Sequence, residues 1–76
     1  MNRAEKLERL EQIFRDVLDQ PDLRVTEAFS TDDCPEWDSV ATVQIVLATE
    51  AAFGVRVPME TVPHLRRVRE LLDLLP

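Results

Sequence analysis

The 76-residue sequence contains one cysteine, one glycine and no tyrosine, and these shortages exclude several classes of protein. A single cysteine cannot form an internal disulfide, and Cys34 with His64 falls short of the ligand set of a zinc site. So little glycine and tyrosine argues against an all-β fold, which needs many tight turns. Because no apolar run approaches the roughly 20 residues of a membrane span, we expect no stable membrane insertion.

The charge is acidic and concentrated in one stretch of the chain. The 15 acidic and 9 basic residues give a net charge of −6, and residues 16–38 carry eight acids with Arg24 as their only base. A negative protein is a poor partner for nucleic acid or an anionic membrane, so neither is expected. The lone cysteine and the absence of an apolar leader after Met1 predict a cytoplasmic protein.

Apolar residues recur at three- and four-residue steps, which predicts an all-α fold. The pattern indicates three long helices and one short helix, over residues 3–19, 39–53, 58–62 and 64–75. Residues 20–38 are predicted to form a long loop with one helical turn within 25–29. Such elements pack most economically as a small antiparallel helical bundle, here a single domain over residues 1–76.

The predicted second helix is apolar on two sides. One stripe consists of Thr42, Ile45, Val46, Thr49 and Phe53, and the other of Val40, Val43, Leu47 and Ala51. A surface helix normally has one apolar stripe and one charged face. Either this helix is buried on both sides of a small bundle, or one stripe contacts a partner or a ligand. Composition alone leaves both interpretations open.

Asp38 and Ser39 immediately precede this apolar helix, and they also have two interpretations. Either residue is a common N-cap, which is a purely structural role. A phosphate ester on Ser39 would, however, lie at the positive end of the helix dipole. Ser39 lacks the surroundings of a catalytic nucleophile, because the only histidine is distant in sequence and no Gly-x-Ser-x-Gly elbow is present. We therefore expect neither an enzyme nor a metal site.

The stretch Trp37-Asp38-Ser39-Val40, followed by an apolar helix that ends Phe53-Gly54, resembles the acyl carrier protein family. That family has an Asp-Ser-aliphatic motif at the start of its second helix, and its serine receives 4′-phosphopantetheine from coenzyme A. The resemblance covers essentially the whole chain. It implies that Ser39 bears the arm, whose thiol holds an acyl or aminoacyl group as a thioester. It also implies that Asp38 helps the Mg-dependent transferase to engage the serine.

The same resemblance assigns roles to both stripes. The residues implied to contact partner enzymes are Trp37, Val40, Val43, Gln44 and Leu47. The residues implied to line a cargo pocket inside the bundle are Ile45, Val46, Thr49 and Phe53. The implied partners are a phosphopantetheinyl transferase, an acyl or aminoacyl ligase, and a downstream transferase or synthase. The chain itself is expected to be a monomer.

The second helix departs from the family's pattern in its charge. Fatty-acid-type carriers have acidic residues on its outer face, where this chain has Ala41, Gln44 and Ala51. Because surface charge selects partners, we expect a dedicated pathway of lipid or secondary metabolite biosynthesis rather than housekeeping fatty-acid synthesis. The hydroxyls of Thr42 and Thr49 favour a short or polar cargo.

Two alternatives stay open from sequence. Thr42-Val43-Gln44 also resembles the D-alanyl carrier proteins, although the second tryptophan of those proteins is absent, so another aminoacyl-specific carrier is an alternative. The alternative of a different class is a non-covalent helical interaction module that binds partners through Val40, Val43 and Leu47.

Overall fold

The computed structural model describes residues 1–76 and contains three α-helices, two 3₁₀ helices and no strand. In chain order these are α1 (Arg3–Leu18), a first 3₁₀ helix (Thr31–Asp33), α2 (Ser39–Phe53), a second 3₁₀ helix (Val62–His64) and α3 (Val68–Leu72). α1 packs against both α2 and α3, and the second 3₁₀ helix packs against α2. The predicted all-α bundle is therefore confirmed. None of the helices combines the length and the apolar character that crossing a membrane requires.

α1 begins and ends at local signals. The Asn2 side chain caps its first turn by accepting a hydrogen bond from the Glu5 amide at 2.9 Å. The helix ends at Leu18, where Asp19 adopts the left-handed conformation with φ of 54°. Its apolar face buries Leu10 and Phe14 completely.

The long loop is attached to α1 by an ion pair that lies on the helix side facing it. Glu11 and Arg15 are 3.1 Å apart and half-buried. The Glu11 carboxylate accepts a hydrogen bond from the Val25 amide at 2.8 Å, and Arg15 Nε donates to the Leu23 carbonyl at 2.8 Å. The two side chains therefore form hydrogen bonds with backbone groups of the loop, and these groups do not depend on water for their partners.

The turn predicted within residues 25–29 is present, but it is not helical. That segment contains only one turn, closed by the Phe29 amide donating to the Thr26 carbonyl at 3.1 Å. The loop forms its helical turn later, at Thr31–Asp33, because Ser30 and Asp33 make a capping box there.

Three aromatic rings from α1 and the loop form a cluster in which Phe14 and Trp37 are buried and Phe29 is partly buried. The Phe14 and Trp37 rings meet edge to face with centroids 4.9 Å apart, and Phe29 stacks on Trp37 at 5.8 Å. The Trp37 indole N–H donates to Thr42 Oγ1 at 2.9 Å. These contacts fix the loop residues that immediately precede α2.

The predicted short helix over 58–62 is wrong. Residues 59–61 form a turn, and the 3₁₀ helix follows at Val62–His64. Pro63 lies inside this helix rather than after it. A proline is tolerated there because the first amides of a helix have no intrahelical acceptor.

The last helix is much shorter than the predicted 64–75, so the bundle has two long helices rather than three. α3 has five residues because the chain before it is extended, with an antiparallel bridge between Ser30 and Arg67. The Glu70 carboxylate accepts hydrogen bonds from the amides of Arg66 at 2.7 Å and Arg67 at 2.8 Å. These two bonds keep the pKa of Glu70 below its usual range.

Candidate functional site

At the N-terminus of α2, the helix cap is Asp38 and not Ser39. Asp38 is the N-cap, with extended backbone, and its Oδ1 accepts a hydrogen bond from the Ala41 amide at 2.8 Å. Ser39 is the first residue of α2 and is exposed. Its hydroxyl makes no hydrogen bond within the protein. Because Asp38 already caps the helix, the Ser39 oxygen is available for chemistry.

The surroundings of Ser39 suit an anion. The Ser39 and Val40 amides precede the first intrahelical bonds, and no side chain accepts from them. α2 has 15 residues, so its dipole adds partial positive charge at this end. The opposing charge is the carboxylate of Asp38, which is exposed.

A cavity of about 520 Å³ begins at Ser39 and lies between α2 and the segment of residues 57–66. Its lining residues are Thr31, Trp37, Asp38, Ser39, Thr42, Val43, Val46, Leu47, Glu50, Val57, Met59, Val62, Pro63, Leu65 and Arg66. The volume falls within the range of small-molecule sites, and the walls are mainly apolar. A group attached to Ser39 therefore has an apolar space directly beside it.

Only one of the four residues predicted to line a cargo pocket lines this cavity, namely Val46. Ile45 and Thr49 are 1% and 0% exposed and form part of the core facing the other helices. Phe53 is partly buried and packs against the same core. The space lies on the other side of α2, because residues 57–66 fold back across the stripe that sequence assigned to partners.

The partner stripe is exposed with one exception. Val40, Val43 and Leu47 are 65%, 48% and 60% exposed, and Gln44 is also exposed. Trp37 differs from this set, because it is 3% exposed and its indole N–H is bonded inside the protein. α2 is therefore not buried on both sides. One stripe packs in the core, and the other faces the cavity and the solvent.

Several residues of the site have no signal in the sequence. Met59 is 84% exposed beside the cavity, and Val62, Leu65 and Arg66 form the wall opposite α2. Their placement depends on how residues 57–66 return to α2, and no local pattern encodes that return. The apolar character of Met59 and Val62 around Pro58 and Pro63 is the nearest available hint.

The threonine hydroxyls do not provide the polar lining that sequence suggested. Thr42 Oγ1 donates to the Asp38 carbonyl at 2.9 Å, and Thr49 Oγ1 donates to the Ile45 carbonyl at 2.7 Å. Both hydroxyls thus bond back to their own helix, a common arrangement for threonine. The Glu50 carboxylate is likewise engaged, since it accepts from the Val57 amide at 2.7 Å.

Neither the histidine nor a cluster of metal ligands lies at this site. His64 is exposed in the second 3₁₀ helix and does not line the cavity. No group of three or more His, Cys, Asp or Glu side chains could hold a metal ion. His64 is therefore not placed to activate the Ser39 hydroxyl as a general base.

Comparison with known proteins identifies the family, although no protein-family model matches the chain. The chain is 36% identical over 76 residues to an acyl carrier protein of Thermosynechococcus vestitus, across 99% of this chain and 93% of that protein. It is 32% identical to an acyl carrier protein of Rubrobacter xylanophilus, across 96% of this chain and 90% of that protein. A third, from Acidothermus cellulolyticus, is 33% identical, across 96% of this chain and 87% of that protein.

Acyl carrier proteins are carriers rather than catalysts, and they carry a covalently attached 4′-phosphopantetheine. The exposed serine, its aspartate cap and the adjacent apolar cavity fit such a group. On similarity across nearly its whole length, this chain belongs to the acyl carrier protein family.

Proposed function

We propose that Ser39 is the attachment site of the 4′-phosphopantetheine arm. The observation that supports this most directly is the exposed Ser39 hydroxyl, unbonded at the first position of α2 and next to the cavity. In the modification, Ser39 Oγ bonds to the phosphopantetheinyl phosphorus of coenzyme A. The pyrophosphate bond breaks, adenosine 3′,5′-bisphosphate leaves, and the serine proton is lost. When bound, the group supplies a thiol that holds the cargo as a thioester.

Asp38 has two parts in this proposal. Its carboxylate holds the first turn of α2 in place through the Ala41 amide, which fixes the backbone at Ser39. Its second oxygen is not bonded within the protein, so it is available to the Mg²⁺ that a phosphopantetheinyl transferase uses. The family interacts with such a transferase and with acyl-handling enzymes.

We further propose that the cargo is an acyl group and that the 520 Å³ cavity shelters it. Valine, leucine and methionine side chains dominate the walls, and the Thr42 hydroxyl is already bonded. Burial of a methylene group in such walls contributes about 0.8 kcal/mol. The lining therefore supports an acyl cargo over an aminoacyl cargo, whose ammonium group would lose its hydration.

The outer surface of α2 supports our proposal of a dedicated pathway with its own partner enzymes. Val40, Val43 and Leu47 present an apolar stripe, and the exposed positions Gln44 and Ala51 carry no charge. Ala41, grouped with them on sequence grounds, is buried. A surface of this kind suits a dedicated ligase and acceptor with apolar contact patches, rather than enzymes that recognise an acidic helix. The single buried cysteine is consistent with a cytoplasmic location.

The test uses the intact mass of the protein after incubation with coenzyme A, Mg²⁺ and a broad-specificity phosphopantetheinyl transferase. Wild type and Ser30→Ala should each gain one phosphopantetheinyl group, and Ser39→Ala should gain none. Ser30 is the matched control because it is the only other serine in the chain. Loss of modification in a folded Ser30→Ala variant, or its persistence in Ser39→Ala, would refute the assignment.

If no variant is modified while all remain folded, the protein is instead an interaction module that uses the exposed stripe. Ser39→Ala then distinguishes the two functions, with Leu47→Asp as its counterpart. In an interaction module Ser39→Ala would leave non-covalent partner binding nearly unchanged while Leu47→Asp abolishes it, whereas in a carrier Ser39→Ala abolishes cargo loading.

A further inference from the structure

Arg66 is the one basic residue among those that line the cavity beside Ser39. Its backbone is fixed on both sides, because its carbonyl accepts from the Thr31 amide at 2.9 Å and its amide donates to Glu70 at 2.7 Å. Its side chain is exposed, and the guanidinium makes no ion pair or hydrogen bond within the protein. The residue is therefore anchored in the cavity wall with all of its donors available.

The guanidinium of Arg66 has no partner although the protein as a whole is acidic. The protein has a net charge of −6, and most of the surplus lies in the loop that ends at Asp38. Glu70, the acid that caps α3, uses its carboxylate on the amides of Arg66 and Arg67. Most basic side chains of the protein are likewise unpaired, and Arg66 differs from them in lining the cavity.

A phosphodiester at Ser39 would need a cation on this side of the molecule. It would carry a negative charge next to the Asp38 carboxylate, and like charges that are close together repel. The unbonded amides of Ser39 and Val40 offset part of this repulsion. The remaining candidate is the cavity's only cation, on the wall opposite α2.

We propose that the Arg66 guanidinium pairs with the phosphodiester of the arm attached at Ser39 and thereby directs the arm along the cavity. This proposal rests on the attachment at Ser39 proposed above. Arginine suits the role because its planar donors bind two phosphate oxygens at once. Arg66 would then be a positioning residue of the loaded form, with no part in the modification itself.

The experiment compares the apo and modified proteins by NMR, with the modification followed separately by intact mass. In wild type, modification should shift the Arg66 Nε–H resonance and leave that of Arg56 in place. Arg56 is an exposed arginine that does not line the cavity. The phosphorus resonance should coincide in modified wild type and Arg56→Gln, and should be displaced and narrower in modified Arg66→Gln. The two variants have the same net charge, so only position distinguishes them.

Two results would overturn the proposal. One is an Arg66 Nε–H resonance that does not move although the mass shows complete modification. The other is a phosphorus signal that is identical in all three modified proteins. Failure of the proposed attachment is distinguishable from both, because the mass would then show no modification in wild type. Arg66→Gln leaves the backbone bonds to Thr31 and Glu70 unchanged, so the variant is expected to fold.

Discussion

The buried hydrogen bond between Trp37 and Thr42 gives the sharpest test of the structure, because the chain contains its own control. Thr42 and Thr49 are both buried in α2, and both hydroxyls bond back to the carbonyl four residues earlier. Only Thr42 also accepts a hydrogen bond, from the Trp37 indole N–H at 2.9 Å. Replacement of each threonine by valine therefore removes the same hydroxyl from two sites that differ in one contact.

The expected magnitudes follow from what each substitution leaves unpaired. Thr42→Val leaves the indole N–H buried without an acceptor, which costs about 1–3 kcal/mol. In Thr49→Val the Ile45 carbonyl keeps its helical bond, so the free energy of unfolding should change by less than about 0.5 kcal/mol. For a domain whose total stability is about 4–11 kcal/mol, the first change is large.

The assay is urea unfolding followed by far-ultraviolet circular dichroism, which does not depend on the emission of Trp37. With a slope of about 1 kcal/mol per molar urea, Thr42→Val should lower the midpoint by about 1–3 M. Trp37→Phe removes the donor, so the cost of Thr42→Val should largely vanish in that background. Equal midpoints for Thr42→Val and Thr49→Val, or an undiminished cost in the Trp37→Phe background, would refute the reasoning.

Two further predictions concern the C-terminal cap and the exposed stripe. The amides of Arg66 and Arg67 lower the pKa of Glu70 in the folded state. The ionised carboxylate therefore stabilises the fold at pH values above its unfolded pKa of about 4.3, and this stabilisation is lost as the pH falls through the folded pKa. The stability difference between wild type and Glu70→Gln, measured by urea unfolding, should therefore be largest near pH 7 and disappear in acid; a constant difference would contradict this. Leu47→Asp should leave stability nearly unchanged because the side chain is 60% exposed, yet weaken the interaction with acyl-handling enzymes at least tenfold, measured as an increase in the enzyme's KM for the carrier. An unchanged KM would show that the exposed stripe of α2 does not contact these enzymes.

α2 could be predicted from sequence because its boundaries are local. An aspartate cap and a following apolar run define its start. Its end is defined by Gly54, the only glycine, which adopts φ of 65° in the left-handed region and donates to the Glu50 carbonyl at 2.9 Å. Both boundaries lie where the pattern placed them.

The C-terminal third could not be predicted because its conformation depends on distant residues. The apolar spacing of Leu65, Val68, Leu71 and Leu72 is helical, and all four side chains are buried. The segment before Val68 is nevertheless extended, because Arg67 bridges to Ser30 and the Arg66 carbonyl accepts from Thr31. A helix pattern reports which side chains face the core, and here a pairing more than 30 residues away determines where the helix begins.

The location of the cavity was missed for the same reason. The resemblance assigns the pocket to the stripe of Ile45, Val46, Thr49 and Phe53, and the apolar pattern itself does not say which stripe borders a space. The stripe of Ile45 and Thr49 is filled by α1 and the aromatic core, so no room remains there. The exposed stripe borders a cavity only because residues 57–66 return to it, with the Val57 amide bonded to Glu50.

The order of the two residues at the start of α2 matters as much as their identity. If the serine were the cap, its oxygen would accept an amide hydrogen bond, and modification would compete with the helix for that oxygen. With Asp38 as the cap, the hydrogen bond from the Ala41 amide does not involve the oxygen that the proposed modification would take. The proposed modification would therefore leave the cap in place, and Ser39 contributes no hydrogen bond that attachment of the arm would break.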